Sequence, residues 1–182
     1  MHLNWLLISL FFYFPNLLFL HTNGDRQPSI HQDKTERKAY LTRLISEFVS
    51  WPDQESTGNG FFHVSVYNDE DFYKYLTYLY KDVEIKGMET KVSLISNVES
   101  IYGSHILFLT EESSTSIEEI LKLTNNQPIL TIGDCKDFGS KGTIVNFIDV
   151  QDEVKFEINL NSYKNSELKI DSRLFDVAKI ID

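Results

Sequence analysis

The chain has 182 residues, of which 42% are hydrophobic and 24% are charged, and its formal net charge is −10. This length suits one domain with a single core, and the composition is that of a folded rather than a disordered protein. So acidic a surface repels phosphate backbones, which argues against nucleic-acid binding, and no run of lysine or arginine favours docking on anionic lipid.

The first 22 residues resemble a secretory signal peptide. Leu3 to Leu20 is almost continuously apolar, and a polar stretch follows at once. We expect export and cleavage near residue 22, although no Ala-x-Ala marks the cleavage point. Because about 18 apolar residues also suffice to span a bilayer, an uncleaved anchor interrupted by Pro15 is the alternative. Both interpretations place the rest of the chain outside the cytoplasm, with a linker over residues 23–33.

Residues 34–182 alternate between helical and strand patterns. The expected helices are Lys34 to Ser50, a second from Asp69, a short one over Asn97 to Tyr102, one from Ser116 to Thr124 behind a capping box, and a C-terminal helix with Leu174, Val177, Ala178 and Ile181 on one face. The expected strands are Phe61 to Tyr67, Lys91 to Ser96, His105 to Leu109, Gln127 to Ile132, Thr143 to Asp149 and Val154 to Leu160.

This rhythm predicts a single α/β domain over residues 34–182. Strand, helix and strand in succession favour a Rossmann-like, mostly parallel sheet flanked by helices. The last two expected strands are separated only by Val150 to Glu153. They must therefore pair as an antiparallel C-terminal hairpin.

Tyrosines are concentrated on the second expected helix, at Tyr73, Tyr75, Tyr78 and Tyr80. Tyrosine gives a large contact area at low entropic cost, so these side chains are a candidate partner-binding surface. The alternative is that they cover the edge of the core.

Glu157 is a charge inside an expected strand, between Phe156 and Ile158. Alternation places its side chain on the face opposite these two core residues, which predicts a solvated position. The alternatives are a structural partner for Arg173 or a contact for another protein.

Little in the chain indicates catalysis, a metal or a cofactor. The loop from Gly133 to Gly142 does not match a phosphate-binding P-loop. A small-ligand pocket at this loop is kept as an alternative, because the loop follows the end of a strand. Cys135 is the one cysteine, so we expect a structural thiol, with a reactive thiol or intermolecular bridge as the alternative. Neither His63 nor His105 has a partner at metal-ligand spacing.

Seven separate pieces of the sequence, taken together in their order and spacing, carry a resemblance to a known family. They are Lys38-Ala-Tyr-Leu41, Phe48-Val-Ser-Trp-Pro52, Ser104-His-Ile-Leu-Phe-Leu109, Pro128-Ile-Leu-Thr-Ile-Gly-Asp134, Gly142-Thr-Ile-Val-Asn-Phe147, Val154-Lys-Phe-Glu-Ile-Asn159 and Leu168-Lys-Ile-Asp-Ser-Arg-Leu174. Together they resemble the YfiR family of exported bacterial proteins, from Lys38 to Ile180. The motif positions that this resemblance marks as framework are Trp51, Pro52, His105, Glu157, Asn159, Ser172 and Arg173.

The resemblance implies a periplasmic α/β domain, often dimeric, without enzymatic activity. The name-giving member restrains a membrane diguanylate cyclase by binding its periplasmic part, and thereby controls cyclic di-GMP. This chain departs from members that carry disulfides, since Ser104 stands where some have cysteine, so redox control by an internal disulfide is not expected. Asp171 replaces a frequent serine and can serve equally as a helix N-cap.

We therefore expect a non-catalytic regulator that binds the extracytoplasmic part of a membrane signalling protein, either a diguanylate cyclase or a sensor kinase. It needs no cofactor. A periplasmic small-ligand binder using the Gly133 to Gly142 loop is the alternative function, and an enzyme with an unrecognised site is the third. Besides the signalling protein, a second copy of the chain is the other expected partner.

Overall fold

The computed structural model describes residues 30–52 and 60–182 of the chain, with side chains described from Lys34 onward. The expected signal peptide over residues 1–22, and most of the expected linker, lie outside these residues. Within the described ranges no helix combines the length and the apolar character needed to cross a bilayer.

Short strands and short helices alternate along the described chain. The strands are β1 (Val49–Ser50), β2 (Phe61–Tyr67), β3 (Glu84–Ile85), β4 (Met88–Ile95), β5 (Ile106–Leu109), β6 (Leu130–Gly133), β7 (Val145–Val150), β8 (Glu153–Asn159), β9 (Lys169–Ile170) and β10 (Lys179–Ile181). The helices are α1 (Ile30–Glu47), α2 (Glu70–Leu79), α3 (Ile117–Thr124), α4 (Phe138–Lys141), α5 (Leu160–Lys164) and α6 (Ser172–Phe175), with 3-10 turns at Val98–Ile101 and Glu111–Ser113.

Eight of the strands form one sheet in the order β10-β8-β7-β6-β5-β2-β4-β3, and β1 pairs with β9 separately. The β7–β8 and β3–β4 pairs are antiparallel, and the other neighbours in the large sheet are parallel. The predicted α/β class, with a mostly parallel sheet and an antiparallel hairpin near the C-terminus, is thus confirmed.

Two apolar cores lie on the opposite faces of the sheet. The larger one contains α1 and α2 side chains such as Ala39 and Leu76, packed with Phe62 and Val64 of β2. The smaller one packs α3 and α4 against Tyr67 and the β5 residues of that face. Because β5 and β6 are covered on both sides, every one of their residues is buried, which explains the continuous apolar sequence of β5.

The first helix differs from its expected bounds at both ends. It begins at Ile30, earlier than the expected Lys34, and ends at Glu47, before the expected Ser50. Val49 and Ser50 instead pair with Ile170 and Lys169 as an antiparallel bridge. This pairing between distant segments supplies backbone hydrogen bonds that local helical periodicity does not reveal.

Two tight hairpins have positive φ at both central residues, the type I′ geometry that matches strand twist. Gln151 and Asp152, at φ 51° and 64°, join β7 to β8 as expected from the sequence. Lys86 and Gly87, at φ 55° and 73°, join β3 to β4. The short strand β3 was not predicted, because only Gly87 marks its turn in the sequence.

The predicted C-terminal amphipathic helix is wrong. Only one turn forms, at Ser172–Phe175, and Lys179–Ile181 runs as strand β10 parallel to β8. Val177 is 58% exposed, so it does not share a buried stripe with Leu174. The outer edge of β8 has unpaired backbone N–H and C=O groups, and β10 forms hydrogen bonds with them. These hydrogen bonds outweigh the weak helical periodicity of the C-terminal residues.

The expected capping box is only half realised. Ser116 does stand directly before α3, but its side chain makes no capping hydrogen bond. The 3-10 turn Glu111–Ser113 precedes it and fixes the backbone instead, since the Ser116 N–H donates to the Ser113 carbonyl at 2.9 Å. Asp69, by contrast, caps α2 through the Phe72 N–H at 2.8 Å.

Candidate functional site

Trp51, Phe62, His63 and His105 form a compact group, called here the histidine cluster. The indole N–H of Trp51 donates to the His105 carbonyl at 3.1 Å. The His63 backbone N–H donates to Nδ1 of His105 at 3.0 Å, and the ring of Phe62 stacks on His105 with centroids 4.6 Å apart. Two framework positions of the motif, Trp51 and His105, are therefore brought together although they are distant in sequence.

Both histidines of this cluster are held in the neutral form. Burial, with a smaller contribution from the neighbouring His63, lowers the pKa of His105 to about 4. Burial also lowers the pKa of His63, and the ammonium of Lys91 adds to this shift. Protonation of His105 at Nδ1 would also remove the lone pair that accepts the His63 N–H. At neutral pH the cluster is thus an uncharged, hydrogen-bonded packing unit.

An open cleft adjoins the histidine cluster on the α3 side of the sheet. Its volume is about 450 Å³, and we call it the serine cleft. It is lined by His63, Ser65, Ser93, Ile95, Ser100, Tyr102, Gly103 and Ser104. Ser104, which stands where some members of the family that the chain resembles have cysteine, has its hydroxyl 2.6 Å from that of Ser65.

Glu157 lies in a second polar group, beneath α4. As expected, it points away from the core side of β8, but α4 covers that face, so Glu157 is only 6% exposed and the predicted solvated position is wrong. Its carboxylate accepts a hydrogen bond from Asn146 Nδ2 at 3.2 Å and from Lys179 Nζ at 3.1 Å. Asn159, beside it, donates to the Gly139 carbonyl at 3.0 Å.

Arg173 is not the partner of Glu157. It forms a two-point ion pair with Asp171, with Nη2 and Oδ2 2.7 Å apart, and its guanidinium lies 5.2 Å from the Phe48 ring centre. Arg173 lowers the pKa of Asp171 to about 2. Asp171 also accepts the Arg173 backbone N–H at 3.0 Å, so it caps α6 as expected. The remaining framework residues, Pro52 and Ser172, are exposed.

The four tyrosines of the second helix do not form one surface. Tyr80 is only 4% exposed, and its hydroxyl donates to the Ala39 carbonyl at 2.6 Å. Burial raises its pKa. Tyr80 therefore belongs to the core, and its assignment to a partner surface is wrong. Tyr78 is 78% exposed, while Tyr73 and Tyr75 are half-buried, so these three remain a predicted contact surface.

The segment from Gly133 to Gly142 is not an open loop, because α4 occupies its second half. A Cβ at Gly139 would lie 3.0 Å from the Glu157 carboxyl carbon, so this glycine permits close packing rather than ligand approach. At the end of this segment Lys141 and Gly142 line a cleft of about 240 Å³, which Lys122 of α3 also lines. These lysines sit in the last turns of α3 and α4, where their charge stabilises the helix ends. Cys135 is half-buried and not in a disulfide.

A long-range ion pair was not anticipated from the sequence. Lys38 of α1 and Asp134 after β6 are both in the motif pieces, and their Nζ and Oδ1 atoms lie 2.7 Å apart. Lys38 lies on the side of α1 that is turned toward the sheet, and its helical position indicates this. Its partner could not be identified from the sequence, because the pairing depends on the order of the strands in the sheet.

Comparison with known proteins places this geometry in a family context. Residues 35–179 match a family model described as YfiR/HmsC-like, which confirms the resemblance drawn from the motif pieces. A conserved domain protein from Vibrio cholerae O1 biovar El Tor, solved by crystallography, is similar with a TM-score of 0.53 and 10% identity, which shows the fold alone. The match covers 81% of this chain and 60% of that protein, less than two thirds of its length. No curated protein matches the chain.

Proposed function

The chain belongs to the YfiR/HmsC-like family, and we propose that it is an exported regulator that binds and restrains the extracytoplasmic part of a membrane signalling protein. Members of this family are periplasmic, non-catalytic regulators of diguanylate cyclases. A diguanylate cyclase is therefore the first partner to test, and a sensor kinase is the second. The observation that carries the proposal is the family match over residues 35–179, which spans both cores and the histidine cluster.

The outer side of the α1–α2 layer is the contact surface that we favour. Tyr40 of α1 is 48% exposed and Tyr78 of α2 is 78% exposed. Both helices pack on the same face of the sheet. Tyrosine is one of the residue types enriched at binding hot spots, and two exposed tyrosines on one helical layer are therefore the first candidates for contact. Tyr80 supports this surface from below, because its hydrogen bond to the Ala39 carbonyl ties α2 to α1.

The regulation follows from differential affinity. A protein that binds the inactive state of a sensor more tightly than its active state shifts the sensor toward inactivity. A hundredfold preference corresponds to about 2.7 kcal/mol, which a few aromatic contacts can supply. Such a regulator needs no catalytic group, in line with the family's non-catalytic character.

The proposal is tested by measuring cyclic di-GMP in cells that lack this protein. We expect its concentration to rise on deletion, to return when the wild-type chain is supplied, and to stay high when the Tyr40→Ala/Tyr78→Ala double variant is supplied at equal abundance. Tyr102→Ala, on the opposite side of the sheet, is the matched exposed control and should restore the wild-type level. An unchanged concentration on deletion would contradict restraint of a diguanylate cyclase.

A further inference from the structure

The serine cleft is built from two strands and one connection. Ser65 of β2 and Ser93 of β4 are register partners, so their side chains share one face of the parallel pair. The 3-10 turn Val98–Ile101 and the residues after it form the wall that carries Ser100 and Ser104. On this face, the core formed with α3 and α4 includes Tyr67 of β2 and Ile95 of β4 but not Ser65 or Ser93, which precede them in the same strands. The cleft is therefore bounded by ordered backbone on its floor and on one side.

The groups that line the cleft are polar but uncharged. The chain contains 27 acidic and 17 basic residues, yet none of the described residues lining the cleft is Asp, Glu, Lys or Arg. Four are serines, and the imidazole of His63 and the hydroxyl-bearing ring of Tyr102 are the other polar side chains of the lining. Because its pKa is lowered, this imidazole is neutral at pH 7. Hydroxyls and neutral imidazole both donate and accept hydrogen bonds. Within the cleft the Ser65 and Ser104 hydroxyls are bonded to each other and the Ser100 hydroxyl donates to Asn97 Oδ1, so these three offer a ligand mainly their remaining acceptor lone pairs.

The rim adds an aromatic surface. Tyr102 is 56% exposed at the edge of the cleft. Gly103 follows it with φ of 89°, and nothing lies within 4 Å of the position that its Cβ would take. Tyr102 thus contributes a largely exposed aromatic side chain to the lining of the cleft. Ile95 supplies an apolar patch within the same lining.

We propose that the serine cleft is a binding site for a neutral saccharide of one or two rings. Sugar hydroxyls both donate and accept, so they match a lining of serine hydroxyls and imidazole without requiring a compensating charge. The Tyr102 ring packs against the C–H face of the sugar, as amphipathic aromatic rings do against apolar surface. A volume of about 450 Å³ lies within the range of small-molecule sites.

An anionic ligand fits the same cleft less well. Lys91, the register partner of His63, is a basic residue on that face, but its ammonium lies 5.8 Å from the Phe61 ring centre and Lys91 is not among the lining residues. The chain's net charge of −10 also opposes the approach of an anion. The site goes beyond the proposed regulatory contact, since it lies on the other side of the sheet from Tyr40 and Tyr78.

The test is a titration of the 15N-labelled protein, purified from the cell envelope after export, with glucose, N-acetylglucosamine and maltose, followed by amide chemical shifts. We expect saturable shifts at Ser65, Ser93 and Gly103 with at least one sugar. Tyr102→Ala should weaken that binding about tenfold, the effect of losing about 1.4 kcal/mol of ring contact. Tyr78→Ala should leave the sugar affinity unchanged.

Three outcomes would overturn the saccharide site. They are the absence of saturable shifts at these residues with every sugar, an equal response to sodium phosphate or acetate, and an unchanged affinity in Tyr102→Ala. Because Tyr102 is exposed, its substitution should not unfold the protein, which a thermal melt verifies. The cyclic di-GMP assay of the regulatory function uses other residues, so each proposal can fail without the other.

Discussion

Lys38 and Asp134 are separated by 96 positions in the chain, and their charged atoms lie 2.7 Å apart. Both side chains are largely shielded from solvent, with 16% and 22% exposure. The pair joins the first helix to the end of a central strand, and thereby fixes α1 on the sheet beneath the exposed Tyr40. Its position couples the long N-terminal helix to the core of the parallel sheet.

Breaking this pair should measurably destabilise the fold. We expect Lys38→Met to lower the free energy of unfolding by about 1–2 kcal/mol, because the shielded carboxylate of Asp134 loses its partner. The matched control is Lys74→Met, which breaks an exposed helical pair with Glu70 and should cost less than about 0.5 kcal/mol. Urea unfolding measures both values. Equal losses in the two variants would contradict the anchoring role of Lys38.

The histidine cluster predicts a pH-dependent stability. The folded pKa of His105, about 4, lies below the ordinary value of 6.5, so the unfolded chain binds more protons in that interval. Stability therefore rises with pH through this window, and should fall by about 2 kcal/mol from pH 7 to pH 5. The measurement is urea unfolding at several pH values.

The control for this pH dependence is His105→Asn, whose amide oxygen can still accept the His63 N–H. We expect this variant to be less stable at pH 7 but to show a shallower decline toward pH 5. Some decline remains, since the pKa of His63 is lowered as well. An identical slope in wild type and variant would show that His105 does not cause the dependence.

Glu157 should matter more to stability than its position in a strand indicates. Glu157→Ala removes the acceptor for the fully buried Asn146 amide, and we expect a loss of about 2–3 kcal/mol. Glu157→Gln keeps the shape and one acceptor oxygen, so it should cost roughly half as much. Differential scanning calorimetry of the two variants checks the order, and a smaller loss in the alanine variant would contradict it.

Gly139 is required by the packing of α4 on the same carboxylate. Its added Cβ would lie 3.0 Å from both the Glu157 carboxyl carbon and the Ile181 Cδ1 atom. Gly139→Ala should therefore cost about 1–3 kcal/mol by overpacking. Ser140→Ala, at the exposed neighbouring position, is the control. In the Glu157→Ala background the Gly139→Ala cost should shrink, and strict additivity in the double-mutant cycle would contradict direct contact.

The parallel sheet was predictable because strands such as β5 carry a local signal of burial on both faces. Glu157 shows where local reasoning ends. Alternation gives the side to which it points, but the burial of that side depends on α4, which lies in a segment whose glycines indicated an open loop. The C-terminal strand β10 is a similar case. Its residues form a strand rather than a helix because they pair with the free edge of β8, which the local sequence does not reveal. Pairings such as Lys38 with Asp134 depend on the strand order, which no single segment encodes.

The proposed contact surface is tested most directly by photo-crosslinking in intact cells. A photoreactive phenylalanine analogue is placed at Tyr78, or at Tyr102 on the opposite side of the sheet as control, and crosslinked proteins are identified by mass spectrometry. We expect position 78, and not position 102, to capture a membrane protein with an extracytoplasmic domain and a cytoplasmic signalling domain. Capture from both positions alike, or of no membrane signalling protein from position 78, would contradict the proposal.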